Sequence, residues 1–215
     1  MSLTELRNKI LDDDEFVLSE IARIRYLYKL KKEIRYALTR TEPVDTESVA
    51  EHVYGMHVIA NYFLSLEDIE GVWDALKIFK LITWHDMDEI ETGDTVSHHK
   101  TEAHLREARE ALPKVLGNLP AHIREEVTAL MDDYEAKRSV EARFVKAIDK
   151  AEPLFEIWDD QYKEVFIQNH NTLKNHWDTK RAYIEAFPYI MRFVEVATDR
   201  LAARGFFVSE DDTKS

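Results

Sequence analysis

Five glycines and five prolines in 215 residues leave this chain few places to turn tightly, and that scarcity narrows its fold more than any other feature. A β-sandwich needs a turn every few residues, usually built on Gly or Pro. Here the breaker-free stretches are long and rich in Ala, Leu, Glu, Lys and Arg, all strong helix formers. The expected class is all-α. Hydrophobic content of 45% beside 33% charged residues is that of a folded soluble protein. The length suits one domain with a substantial core. We find no internal repeat and no low-complexity linker, so residues 1–208 read as a single helical domain. Its core covers about 30–160, a helical extension 160–205, and a disordered tail 209–215.

Periodicity places the helices. A short helix over 3–12 gives way to Asp12-Asp13-Asp14, an acidic start for the next. From Glu15 to about Lys32, Phe16, Val17, Ile21, Ile24, Leu27, Tyr28 and Leu30 recur near the helical period, predicting an amphipathic core helix. It continues into Lys31–Arg40, the most basic stretch of the chain, either a solvated face or positive charge placed beside an anionic ligand. Pro43 breaks it, and Asp45 or Thr46 can cap a helix carrying Val49, Val53, Met56, Ile59, Ala60 and Phe63. Further helices are predicted over 72–84, 101–116, from Pro120 to about Lys137, 140–158 behind a Ser139 cap, and 180–204. The last is kinked or started by Pro188, and 159–178 reads as a loop with a short helix.

The net charge of −13 disfavours sequence-independent binding to a nucleic acid polymer, which rests on neutralising phosphates. It leaves room for a single nucleotide held by a metal and a few basic residues. The absence of cysteine removes disulfides and thiolate metal sites and suits a reducing compartment. No apolar run approaches the ~20 residues that cross a bilayer, and Met1–Leu6 lacks the character of a signal peptide. The expected location is the cytoplasm.

The chemistry gathers where the apolar run Ala75–Trp84 delivers His85-Asp86, with Asp88, Glu89, Glu91 and Asp94 close behind. An imidazole beside a carboxylate suits Zn, Mn, Fe or Co better than Ca. His52 lies within an apolar pattern, as does His57, five residues on and off its face. Asp149 sits among apolar neighbours, on one face with Val145 and Glu152. A core-facing carboxylate is costly unless paired, hydrogen-bonded or bound to metal, and at this point salt bridge and metal stand level.

Read together, His52, then His85-Asp86, then Asp149 come from three predicted helices, with 33 residues between the histidines and 63 between the aspartates. This order resembles the HD-domain phosphohydrolase superfamily, and within it the nucleoside 5′-monophosphatase (5′-deoxynucleotidase) branch. Glu47–His52, His85–Asp94, Tyr134–Ala136, Ser139–Arg143 and Phe144–Lys150 carry the likeness across about residues 30–160. The resemblance implies one divalent metal (Mn, Co, Zn, Fe or Mg) held by His52, His85, Asp86 and Asp149. It implies Glu89 as the residue that orients or deprotonates the attacking water, and Asp94 near the sugar and that water. Arg35 would grip the phosphate, followed by Tyr36 where the family has Trp, with Arg40 as a second basic candidate. A homodimer is implied as well. His98, His99 and His104 read as a solvated loop and helix face rather than a second metal site.

The expected function is metal-dependent hydrolysis of a phosphomonoester, a (deoxy)nucleoside 5′-monophosphate, to nucleoside and phosphate. Three alternatives accompany it: hydrolysis of a nucleoside triphosphate or cyclic nucleotide, a non-catalytic nucleotide sensor, and a helical interaction protein. Glu89 and Asp94 weigh against the sensor, because a pure binder needs no water-activating carboxylate.

Overall fold

Helices carry the architecture of this computed structural model, which describes residues 1–37 and 46–210. Helices α1 (Leu3–Asp12) and α2 (Asp14–Leu27) pair at the N-terminus. Then come α3 (Val49–Glu67), α4 (Ala75–Trp84), the short α5 (Glu89–Thr92), α6 (Glu102–Asn118), α7 (Ala121–Ala136) and α8 (Val140–Ala151). Short helices α9 (Pro153–Glu156), α10 (Lys163–Gln168), α11 (Leu173–Asp178) and α12 (Arg181–Ile184) lead to α13 (Pro188–Ala203).

α8 is the centre. Ala142, Phe144, Val145, Ala147, Ile148 and Ala151 are all buried along it, and α3, α4, α7, α12 and α13 all touch it. On α3 the buried residues Val49, His52, Met56, Ile59, Ala60 and Phe63 recur at three- and four-residue steps, the stripe of a core-facing helix. Burying a side chain such as Phe63 or Phe144 contributes roughly 1.5–3 kcal/mol each. A smaller second cluster, Met87, Val115, Leu119, Val127 and Met131, ties α6 and α7 to the segment after α4.

Helix starts follow side-chain capping. Ser48, not Asp45 or Thr46, caps α3, its hydroxyl accepting from Glu51 N–H while Glu51 reaches back to the Ser48 N–H. Pro43 and Asp45 lie outside the described residues. Ser139 caps α8 as its sequence position predicts, and Pro188 starts α13.

Four expectations change. The 15–32 helix stops at Leu27 and continues as a 3₁₀ turn, Tyr28–Lys31. It is no core helix, since none of its residues is buried and Leu18, Ile21 and Ile24 are exposed. The basic stretch is not a helical continuation: Ile34 makes the one antiparallel bridge among the described residues, with Ser48, and a 3₁₀ turn covers Arg35–Ala37. The helix predicted over 140–158 ends at Ala151, because Pro153 has no N–H to continue it. The 159–178 segment holds two short helices, α10 and α11, and a 3₁₀ turn.

Candidate active site

His52 lies one turn into α3, fully buried. Its Nδ1 is 2.7 Å from Glu152 Oε2, a carboxylate that fixes the ring proton on Nδ1. The other ring nitrogen, Nε2, has no hydrogen-bond partner and lies 3.6 Å from Asp149 Oδ1 and 3.9 Å from Asp86 Oδ2. His85, at the C-terminus of α4, repeats the arrangement. Its Nδ1 lies 2.9 Å from the Ile82 carbonyl, to which it donates, and its buried Nε2 has no hydrogen-bond partner 3.0 Å from Asp86 Oδ2. The two rings stand 5.6 Å apart.

Two buried imidazole nitrogens without a hydrogen-bond partner, both facing Asp86, are costly as they stand. They are what a divalent cation satisfies: neutral nitrogens with Nδ1 tied back to a carboxylate and a carbonyl, and anionic oxygens between them. His52, His85 and Asp86 offer ligand atoms all within 4.8 Å of one another. Asp149 stands beside this trio through Oδ1, while its Oδ2 is held by Lys146 at 2.8 Å and Lys150 at 3.3 Å. Burial opposes ionisation of Asp149, but the two lysines outweigh it and hold its pKa well below the ordinary range. Burial and Arg35 oppose charge on His52, yet Glu152 and Asp149 push it up to about 9. The pocket favours positive charge at this point, and the residues present fit a divalent metal.

A second three-residue cluster, Glu47, His52 and Glu152, lies on the Nδ1 side. Its charge is met by Arg35, whose Nη1 is 2.5 Å from Glu47 Oε1 and 3.4 Å from Glu152 Oε2. The Ile34–Ser48 bridge pins Arg35 there, with Arg35 N–H donating to the Glu47 carbonyl. Arg35 Nε has no hydrogen-bond partner, though Asp94 Oδ1 is 3.7 Å away. The guanidinium is therefore buried among three carboxylates. Tyr36 adopts a left-handed backbone (φ 67°), a strained choice for a non-glycine residue. Asp94 Oδ2 accepts its N–H at 2.9 Å, and its hydroxyl donates to Glu47.

Glu89 opens α5 one turn after Asp86, and is 4% exposed. Oε1 is 3.8 Å from Lys100 Nζ, and Oε2 has no hydrogen-bond partner. Burial, then the charges of Asp86 and Asp94, push its carboxyl well above the ordinary range.

Arg35, Tyr36, Asp86, Glu89, Asp94 and Asp149 line one chamber. Its far wall is apolar, with Leu154, Ile157, Val165 and Phe166, and its remaining edge carries Lys100, Lys146, Lys150 and Lys180. An open cleft on the other side of Asp86 and Glu89 runs along α6 and α7. The structure thus brings together every expected site residue that it describes; Arg40 lies outside the described residues. His98 lines the chamber but is half-buried against the Asn169 carbonyl at 2.6 Å. His99 packs on His98, and His104 caps α6 through Thr101, so neither joins a ligand cluster among the described residues.

Sequence reasoning did not assign a role to Glu152, although it shares a face with Asp149 at three residues' spacing. It also left aside Lys146, Lys150 and Lys180. The first two flank Asp149 on the same helix, a readable signal; Lys180 comes from a segment whose sequence gives none.

Known proteins resemble this chain in sequence and in fold. The HD domain family profile matches residues 27–191. The chain is 32% identical to the 5′-deoxynucleotidase HDDC2 of Homo sapiens over 136 residues, 62% of this chain and 64% of that one, so a little under two thirds of that protein's length is matched. It is 29% identical to the Mus musculus protein of the same name over 185 residues, 84% of this chain and 87% of that one. The fold resembles a crystal structure described as a predicted metal-dependent phosphohydrolase from Magnetospirillum magnetotacticum MS-1. The TM-score is 0.76 and the identity 23%, covering 90% of this chain and 96% of that one.

Proposed function

The chain belongs to the HD domain family, and on that footing we propose that it is a metal-dependent phosphohydrolase that converts a (deoxy)nucleoside 5′-monophosphate to nucleoside and phosphate. The observation that carries the reading is the pair of buried, unpartnered Nε2 atoms of His52 and His85 facing Asp86 and Asp149. The names of the relatives HDDC2 supply the substrate class.

His52, His85, Asp86 and Asp149 would hold the ion. When bound, it supplies Lewis acidity toward a phosphoryl oxygen and toward water. Glu89 accepts a proton from the water as its oxygen bonds to phosphorus, and its raised pKa is the direction such a base needs near neutral pH. The ester oxygen leaves with the bonding pair and takes up the proton that Glu89 accepted, directly or by way of solvent, so that nucleoside and phosphate are the products. Asp94 holds Tyr36 and Arg35 in place at the chamber wall. The apolar wall of Leu154, Ile157, Val165 and Phe166 receives the nucleoside and excludes water. A buried carboxylate at Glu89 with one oxygen lacking a hydrogen-bond partner weighs against a mere sensor, for which it would be a cost without use.

The same reading takes residues 1–208 as one unit, because α13 packs on α3 and α8, and takes the enzyme as cytoplasmic. Among the described residues no helix is long and apolar enough to cross a membrane. It further takes the enzyme as a homodimer, for which exposed Tyr54, Val58 and Tyr62 on α3 and Phe193 on α13 offer an apolar face.

The test is phosphate release from metal-free protein reconstituted with Mn, Co, Zn or Mg, on ribo- and deoxynucleoside monophosphates, triphosphates, cyclic nucleotides and an aryl phosphate. Metal-dependent release from the monophosphates is expected. Release from triphosphates or cyclic nucleotides alone would replace the substrate assignment.

A further inference from the structure

Four lysines edge the chamber, and three of them face carboxylates. Lys146 and Lys150 share Asp149, at 2.8 and 3.3 Å, and Lys100 stands 3.8 Å from Glu89. Lys180, presented by the turn that begins α12, has no carboxylate within 4.0 Å among the described residues. Its Nζ donates to the Lys150 carbonyl at 2.7 Å, which leaves two of its three donors without a partner among the described residues. That contact also holds the ammonium beside the start of the Lys150 side chain. Burial, then the neighbouring charge of Lys150, lowers its pKa to about 7, while Asp149 and Glu152 offset this only in part. A desolvated cation among cations is unfavourable unless an anion joins it.

The anion can be identified by its setting. The same chamber holds Asp86 and Asp149, hence the place of the ion, and an apolar wall for an organic group. Arg35, the other strong cation, is already surrounded by Glu47, Asp94 and Glu152, so its charge is committed to the protein. We propose that Lys180 binds the phosphate dianion of the substrate, holding it against the metal with Lys150 beside it. The C-terminal segment thereby completes a site whose ligands come from α3, α4 and α8. The assignment deepens the phosphohydrolase reading and rests on it for the identity of the anion. It competes with a purely structural role, in which Lys180 only caps the last-turn carbonyl of α8.

Two variants separate these roles. Lys180→Gln keeps an N–H donor for the Lys150 carbonyl and loses the charge; Lys180→Arg keeps the charge. Inorganic phosphate is titrated calorimetrically into the Mn-loaded parent and variants, with metal content, melting temperature, KM and kcat measured in parallel. Lys180→Gln is expected to weaken phosphate binding by about 10- to 100-fold, the size of a charge-assisted hydrogen bond. KM should rise more than kcat falls, with metal content intact and Lys180→Arg close to the parent. Unaltered phosphate binding in Lys180→Gln overturns the proposal. So does an equal loss in both variants with a lowered melting temperature, which is the signature of a cap.

A measurement on the parent needs no variant to fold: inorganic phosphate should protect Lys180 from amine acetylation, read by mass spectrometry, and absence of protection overturns the site. The two readings fail separately. If Lys180 governs phosphate binding in a protein that releases nothing from nucleoside monophosphates, the nucleotidase reading falls and the anion site stands. If monophosphates turn over while Lys180→Gln binds phosphate normally, the anion site alone falls.

Discussion

Glu152 Oε2 lies 2.7 Å from His52 Nδ1, with both side chains buried, and this contact decides which nitrogen of the ring remains free. A carboxylate on Nδ1 holds the proton there and turns the Nε2 lone pair toward Asp149 and Asp86. Glu152→Ala is therefore expected to weaken metal binding by about 10- to 100-fold, the usual cost of losing such a supporting partner, with all four proposed ligands still present. Competition against a chelator measures it. An affinity equal to the parent's would show that Glu152 serves only to neutralise Arg35.

Gly55 makes room for that contact. A Cβ at position 55 would stand 2.5 Å from Glu152 Oε1, the far end of a flexible side chain that can swing away at little cost to the fold. Removing a glycine from the middle of α3 favours the helix by about 1 kcal/mol. Gly55→Ala should thus leave the metal-free protein as stable as the parent or more so, while metal affinity falls in the manner of Glu152→Ala. A parallel loss of melting temperature and metal affinity would instead indicate general damage to α3.

The legible part of this protein is the part that local pattern dictates. The stripe on α3, the apolar run of α4 and the Ser139 cap of α8 are consequences of helix geometry and capping, which act over a few residues. His52, His85-Asp86 and Asp149 stand out by family resemblance, and they converge because α3, which carries His52, and α4, which ends just before His85-Asp86, both pack against α8. What sequence did not show was set by contacts distant in the chain. Ile21 and Ile24 have the spacing of a core helix, yet both remain exposed. Nothing in the sequence around Arg35 announces Glu152, 117 residues away, which the chain brings beside it. Lys180 reaches the chamber only because α12 packs on α8.

Glu89→Gln separates metal binding from proton transfer. The amide matches the shape of the carboxyl and leaves His52, His85, Asp86 and Asp149 in place, so metal content should equal the parent's. Loss of the proton acceptor is expected to lower kcat by about 10²–10⁴, the range of general acid–base catalysis. Metal analysis with steady-state kinetics reads both quantities, and near-normal turnover would remove Glu89 from the chemistry.

His176 contributes one acid-sensitive step to the stability of the metal-free protein. It is 4% exposed on α11, with Nε2 2.9 Å from Thr198 Oγ1. Burial, then the charge of Lys180, holds its pKa down at about 2. In the unfolded chain the imidazole returns to about 6.5. Below that pH the unfolded state takes up a proton that the folded state refuses, so this stabilisation is full above pH 6.5 and is lost progressively as pH falls. The slope approaches ~1.4 kcal/mol per pH unit for one group. The raised carboxyls Glu47, Asp88 and Glu89 act in the opposite sense over the same window in parent and variant alike, so the readout is a difference: in urea unfolding of the metal-free proteins between pH 6.5 and 5, His176→Asn should lack about one proton's worth of the acid destabilisation present in the parent. The depressed carboxylates Asp133 and Asp149 titrate below this window. If the variant loses stability with the parent's slope, His176 is protonated in the folded protein and the chamber wall around it is open to water.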